Sequence, residues 1–291
     1  MNSKEVLRKV SCFLPDKTYI KIKYRMKFHR KIDLKNPKTF NEKLQWLKLY
    51  DRKPVYSTMV DKFEAKKYVA SLIGEEHIIP TLGVWERFED IDFDVLPNQF
   101  VLKCTHDSGG LVICRDKSKL DKVAAEKKIN ASLKTNYFFQ GREWPYKNVK
   151  PRIIAEQYME ESSGKDLIDY KFYCFNGTPE YLYVSAGLEN HATASISFLT
   201  LNWEFAPFGR SDFKTFTELP PKPTKLDEML RLAERLSAGY KFLRVDLYQI
   251  ENQIFFSELT FSPCGGMMPF DPPEWDKELG KLIDLSIKTT K

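Results

Sequence analysis

Near the C-terminus the chain carries two runs, FLRVDLYQ at 242–249 and QIFFSE at 253–258, in which β-branched and aromatic residues alternate with polar ones. The polar Glu251-Asn252-Gln253 between them predicts a β-hairpin. The same pattern marks strands at 100–106, 152–159, 168–175 and 194–201, with the left-handed turn pair Asn176-Gly177 joining 168–175 to EYLYVSA. Helical spacing appears elsewhere. Ile20, Tyr24 and Phe28 repeat at i, i+4, i+8 behind Asp16 as a cap, and Phe40, Leu44, Leu47 and Tyr50 follow the capping box Thr39…Glu42. Further helices are expected from near Asp61 to a stop at Gly74, over 118–134, and over 225–238 before Gly239. Residues 135–151 (TNYFFQGREWPYKNVKP) are too aromatic for a disordered linker and are expected to fold over another part of the protein.

Mixed helices and strands give an α+β chain, and 291 residues suffice for two domains or one elaborated one. No apolar run reaches the roughly 18 residues of a membrane span, and no long apolar stretch opens the sequence, so a cytoplasmic protein is expected. Five cysteines (Cys12, Cys104, Cys114, Cys174, Cys264) without CxxC spacing argue against a disulfide framework and a structural zinc site. Charge is uneven. Residues 1–35 hold eleven Lys or Arg against three acids, a net of +8, whereas the whole chain carries +6, which leaves −2 for the remainder. The basic N-terminal segment therefore suits an anionic partner such as an acidic glycan or a membrane surface, with a solvated basic face as the plain alternative.

Candidate chemistry sits in two places. In the C-terminal hairpin, alternation puts Arg244 and Asp246 on one face, and pairing about the turn brings Glu258 near Asp246. Two carboxylates on adjacent strands suit Mg²⁺, which takes one or two of them and completes its shell with water and phosphate. A solvated Arg–Asp surface pair is the competing reading. The second place is Lys103 on its strand, followed by Asp107-Ser108-Gly109-Gly110. A lysine beside a small Gly turn can set a cation and backbone N–H groups around phosphate oxygens, although a Ser-Gly-Gly hairpin is more often only a hairpin. His106, Asp107 and Ser108 point apart and cannot form a triad, and His29, His77 and His191 show no metal spacing.

The order of these motifs resembles the ATP-grasp superfamily. The phrases NPKTFNEKLQWLKLYDR, VLKCTHDSGG, GREWPYKNVKPRIIAEQYM, DYKFYCFNG and SELTFSPCGG resemble its teichuronopeptide-biosynthesis, or TupA-like, branch, over about Leu34 to Pro269. The resemblance implies an ATP-grasp fold with two α+β subdomains gripping a nucleotide. The expected division is a basic, mainly helical segment at 1–56, a smaller subdomain with the Gly-rich lid at 57–151, and a larger one with the adenine hinge and metal hairpin at 152–291. It implies ATP and Mg²⁺ as cofactors. Lys62, Lys103 and Lys171 would meet the phosphates, under a lid of Ser108, Gly109 and Gly110. Glu156 would sit at the hinge where Gln157 and Tyr158 meet the adenine edge, and Glu161 would take the ribose hydroxyls. Asp246 and Glu258 would hold the metal, and Arg244 would stabilise the reacting acyl centre beside Lys103. Two departures stand out. Thr260 occupies the place of an asparagine metal ligand, so a second metal would depend on a hydroxyl or water, and helical sequence replaces the Rossmann-like domain usual ahead of the grasp.

The resemblance further implies an ADP-forming carboxylate–amine ligase working through an acyl phosphate. Its carboxylate would be a uronic acid of a bacterial surface or capsular polysaccharide or its precursor, and its amine an amino acid or similar small molecule. Acidic glycan or the inner face of an anionic membrane would then meet residues 1–35, with no role for nucleic acid. Competing readings are a metal-dependent glycosyltransferase using a nucleotide sugar, since a metal–diphosphate site does not identify its chemistry, and a non-catalytic protein docking anions through its N-terminus.

Overall fold

The computed structural model describes residues 13–160, 167–186 and 194–287. Helices α1 (Asp16–Phe28), α2 (Phe40–Tyr50), α3 (Pro54–Val60) and α4 (Glu64–Ile73) precede the first strand. A four-stranded antiparallel sheet follows, in the order β1 (Thr81–Trp85), β4 (Ile153–Gln157), β2 (Phe100–Cys104), β3 (Leu111–Cys114). Helix α5 (Lys122–Leu133) covers one of its faces, and the short α6 (Phe138–Gly141) leads back to β4. A second antiparallel sheet, in the order β10 (Gln253–Thr260), β9 (Phe242–Ile250), β5 (Asp169–Phe175), β6 (Thr178–Ala186), β7 (Ser195–Thr200), forms the larger lobe. Helix α7 (Leu226–Ser237) packs on it, a ribbon of β8 (Gly209–Arg210) and β11 (Phe270–Asp271) lies at its side, and α8 (Trp275–Leu282) closes the described chain.

Local chemistry sets most boundaries. Both hydrogen bonds of the Thr39–Glu42 capping box are present, and α2 begins at Phe40. Asp61 Oδ1 accepts the backbone N–H groups of Phe63 and Glu64 at 2.9 and 3.3 Å, so α4 starts three residues after Asp61, and it stops at Gly74 with φ 109°. Asn176 and Gly177 take φ 51° and 89°, the left-handed pair that a tight hairpin between β5 and β6 requires. The β9–β10 turn is tighter than expected: Glu251-Asn252 alone forms it, and Gln253 already pairs with Ile250. Helix α1 forms, but Asp16 is its first residue and not its cap. Its carboxylate instead pairs with Arg52 at 2.8 Å and Arg142 at 3.0 Å.

The larger sheet has two unlike faces. On one, Phe172, Val245, Leu247 and Leu259 pack against α3, α4 and α7 through Met59, Val69 and Leu236. On the other, Tyr173, Phe175, Phe198 and Phe242 meet Phe40 and Leu44 of α2 and Leu279 of α8. Each such side chain, fully buried, contributes roughly 1.5–3 kcal/mol. Strand alternation then places Lys171, Arg244 and Asp246 on that second face, beyond the aromatic end and away from its covering helices.

The expected subdomain limits shift at both ends. β4, assigned to the larger subdomain, is hydrogen-bonded between β1 and β2 of the smaller sheet, with Ile153 and Ala155 in its core, so the boundary follows Gln157. Residues 57–79 belong to the larger lobe, because α3 and α4 bury Met59, Ala65, Val69 and Ile73 against its sheet. The 135–151 segment does fold over the rest. Tyr19 OH donates to Gln140 O at 2.9 Å, Lys48 Nζ donates to Gly141 O at 2.7 Å, and Trp144 packs on the larger core. Cys104, Cys114 and Cys174 are buried free thiols, and no helix among the described residues is long and apolar enough to cross a membrane.

Candidate active site

The smaller sheet contributes a buried ion cluster. Glu156 on β4 sits between two lysines, with Oε1 2.6 Å from Lys66 Nζ and Oε2 2.6 Å from Lys103 Nζ. Burial alone would raise its pKa, but the two ammonium groups outweigh that and hold the carboxyl down to about 2. Lys66 also donates to Ile79 O at 2.6 Å and Thr81 Oγ1 at 3.0 Å. Glu156 thus fixes two cations at the head of the 156–158 segment. Gln157 donates its backbone N–H to Pro80 O at 3.0 Å. The Tyr158 hydroxyl accepts from Arg115 Nε at 3.0 Å. Glu161 lies outside the described residues.

Lys62, at the junction of α3 and α4, ties the lobes together. Its N–H donates to Thr105 O at 3.1 Å and its ammonium to Asp107 O. Burial lowers its pKa against the pull of Glu258, Asp107 and Glu156. In the following turn Asp107 Oδ1 accepts the Gly110 N–H at 3.1 Å, and its Oδ2 accepts from Ser132 Oγ. A Cβ on Gly110 would stand 2.5 Å from Cys104 Sγ, whereas one on Gly109 would meet nothing nearer than 3.8 Å. Gly110 is therefore fixed by packing, and Gly109 is the open point of approach. Ser108 Oγ donates to Tyr137 OH at 3.2 Å, which joins this turn to the aromatic segment.

The larger sheet contributes the facing wall. Lys171 pairs with Asp246 across β5 and β9, and Asp246 with Glu258 across β9 and β10. Arg244 grips Asp246 through two bonds of 2.7 and 2.6 Å and reaches Glu258 at 3.4 Å. Lys171 Nζ bonds Asp169 and lies 3.5 Å from Asp246 Oδ2; burial brings its pKa down to about 8 although Asp246 favours the charge. Burial likewise opposes the charge on Arg244, but Asp246 and Glu258 more than offset it and raise its pKa. The two walls share one space. The phenol of Tyr248 is pushed up to about 12 by burial, with Asp246, Glu156 and Glu258 all adding to the shift.

Asp246 and Glu258 stand directly opposite one another in the ladder, and beside them Thr260 Oγ1 is buried with no hydrogen-bond partner among the described residues. Among the described residues no cluster of three or more His, Cys, Asp or Glu is suited to a metal. Two carboxylates and an orphaned hydroxyl therefore fit an ion such as Mg²⁺ that draws its remaining ligands from phosphate and water. Such an ion would share the Asp246 oxygens with Arg244.

Lys66 and Tyr248 had no place in the sequence reading. Lys66 carried a signal, because it shares a helix face with the apolar Val69 and Ile73, where an unpaired lysine would be costly. Tyr248 carried none beyond alternation with Asp246.

Among solved structures, D-alanine–D-alanine ligase from Bacillus anthracis complexed with ATP is 16% identical with a TM-score of 0.43, covering 77% of this chain and 63% of that one. The Helicobacter pylori D-alanine–D-alanine ligase is 15% identical with a TM-score of 0.45, covering 84% and 69%. The ATP-grasp ligase PsnB, complexed with minimal precursor, Mg and ADP, is 10% identical with a TM-score of 0.40, covering 90% and 67%. The chain thus spans less than two thirds of the first of these proteins. No curated protein matches the sequence. The TupA-like ATPgrasp family profile matches residues 42–284, most of the chain, and the protein belongs to this TupA-like ATP-grasp family and has its α+β fold.

Proposed function

We propose that this ATP-grasp protein is an ADP-forming carboxylate–amine ligase acting on uronic acid carboxylates of a bacterial surface polysaccharide or its precursor. The observation that carries the reading is the gathering of Lys103 from the smaller sheet, Lys171 and Arg244 from the larger sheet, and Lys62 from the α3–α4 junction around the carboxylates of Glu156, Asp246 and Glu258. Cations held beside buried carboxylates suit phosphoryl transfer, where positioning and charge neutralisation do most of the work. Lys62, Lys103 and Lys171 would bind and orient the ATP phosphates, Lys66 would hold Glu156 in place beside Lys103, and Gly109 would allow close backbone approach. Asp246, Glu258 and Thr260 would hold Mg²⁺, which when bound neutralises phosphate charge.

In the first step a substrate carboxylate oxygen attacks the γ-phosphorus, the bond to the bridging oxygen breaks, and ADP leaves. In the second an amine nitrogen attacks the acyl phosphate carbon, the C–O bond breaks, and phosphate leaves with the electron pair. Arg244 would offset negative charge at the acyl centre in both. An acidic saccharide is favoured by the exposed stripe Lys17, Lys21 and Arg25 on α1, whose buried side reaches the 137–146 segment through Tyr19. In assays of uronates with candidate amines, ADP and phosphate should appear in equal amounts, and Lys103→Ala or Asp246→Asn should abolish both. Turnover surviving both substitutions would sink the reading, and binding of UDP-sugars in place of ATP would point to glycosyl transfer.

A further inference from the structure

One buried acid is used by nothing described above. Glu143 follows α6 and is only 6% exposed, yet among the described residues its side chain makes no hydrogen bond and no ion pair. Its Oε1 lies against the Pro263–Gly266 turn that follows β10, 3.8 Å from where a Cβ on Gly265 would stand. The cation that acts on it most strongly, Lys48 on α2, donates to the carbonyls of Gly141 and Gly265 at 2.7 and 2.8 Å. The other groups facing Glu143 are Lys23 on α1, Arg244 on β9, Glu258 on β10 and the phenols of Tyr137 and Tyr146. Its oxygens are not sealed off, so water or a small ligand can reach them and supply the donor that the protein does not. The Pro263–Gly266 turn it lies against continues from Thr260 at the end of β10, so that ligand would stand on the Asp246–Glu258 side of the site.

We infer that Glu143 receives the ammonium group of the attacking amine and removes one proton from it, an inference that rests on the ligase reading above. The step balances. The ammonium gives one proton to Glu143, the freed lone pair forms the C–N bond, and the C–O bond to phosphate breaks. The second nitrogen proton leaves with the phosphate, and Glu143 returns its own to solvent. Burial pushes the Glu143 carboxyl up and the Lys48 ammonium down, and the raised carboxyl is a better proton acceptor for an amine.

The test compares two nucleophiles on the full chain with Mg·ATP and glucuronate or an oligoglucuronate. Hydroxylamine is largely unprotonated at neutral pH and traps an acyl phosphate as hydroxamate without needing a base, whereas amino acids and alkylamines arrive protonated. Glu143→Gln should lower amide formation by about 100-fold or more while leaving hydroxamate formation within about threefold. Should that variant fail to fold, Glu143→Asp, which keeps the charge but withdraws it by one methylene, should show the same split. Equal losses with both nucleophiles, or none, would overturn the role of Glu143 alone. No hydroxamate from the unaltered enzyme would overturn the ligase reading and this inference with it.

Discussion

Glu258 stands opposite Asp246 because Ser257 is extruded as a β-bulge. Below it the β9–β10 ladder pairs Phe256 with Leu247, and above it Glu258 with Asp246, a slip of one residue. In the unbulged register Ser257 would face Asp246, and Glu258 would turn toward the core that Leu259 fills. Deleting Ser257 takes out only the extra residue and leaves Phe256 opposite Leu247, Glu258 opposite Asp246 and Leu259 opposite Val245, so Mg²⁺-dependent ATP binding should survive, whereas inserting one residue between Ser257 and Glu258 should remove it. Thermal denaturation with and without Mg·ATP reads both effects. A normal ATP-induced shift in the insertion variant would show that the register of Glu258 does not set the site.

Glu156 makes the fold sensitive to acid. Its carboxyl is held at about 2 in the folded chain against an ordinary 4.5. The stabilisation is therefore complete above about pH 4.5 and is lost as pH falls toward 2, on the order of 3 kcal/mol in all. Glu156→Gln should flatten stability across that window. At neutral pH it should cost about 3–5 kcal/mol, because Lys66 and Lys103 lose their shared counter-charge. Urea unfolding from pH 2 to 7 checks both.

The two glycines of the 108–110 turn should behave differently. Gly110→Ala puts a methyl 2.5 Å from Cys104 Sγ and 2.6 Å from Ser132 Oγ, an overpacking worth about 1–3 kcal/mol. Gly109→Ala meets no atom within 3.8 Å other than Asp107 Oδ2, so stability should hold while ATP affinity falls. Chemical denaturation and nucleotide titration on each variant separate packing from approach.

The basic stripe of α1 should act through charge. Replacing Lys17, Lys21 and Arg25 by Glu should leave ATP binding intact and weaken binding of polyglucuronate, most at low ionic strength, where screening is least. Saccharide binding that ignores both salt and these substitutions would remove α1 from the acceptor surface.

Short-range order was legible in the sequence because short-range chemistry decides it. Thr39 and Glu42 cap α2 from three residues apart, Asn176-Gly177 turns β5 into β6, and alternation alone aligned Arg244 with Asp246. Lys103 and its Gly turn could be picked out for the same reason.

What the tertiary structure decided are the relationships between distant segments. Lys66 and Glu156 meet only when α4 packs beside β4, and β4 joins the smaller sheet only because β1 and β2 offer it two edges. Glu143 becomes a buried, unpartnered acid only once its segment folds against α2 and the turn after β10. Local patterns fix which side of a strand or helix a residue occupies. Register slips such as the Ser257 bulge, and the partners of buried charges, follow from which packed arrangement best balances desolvation against pairing, and neighbouring residues do not encode that balance.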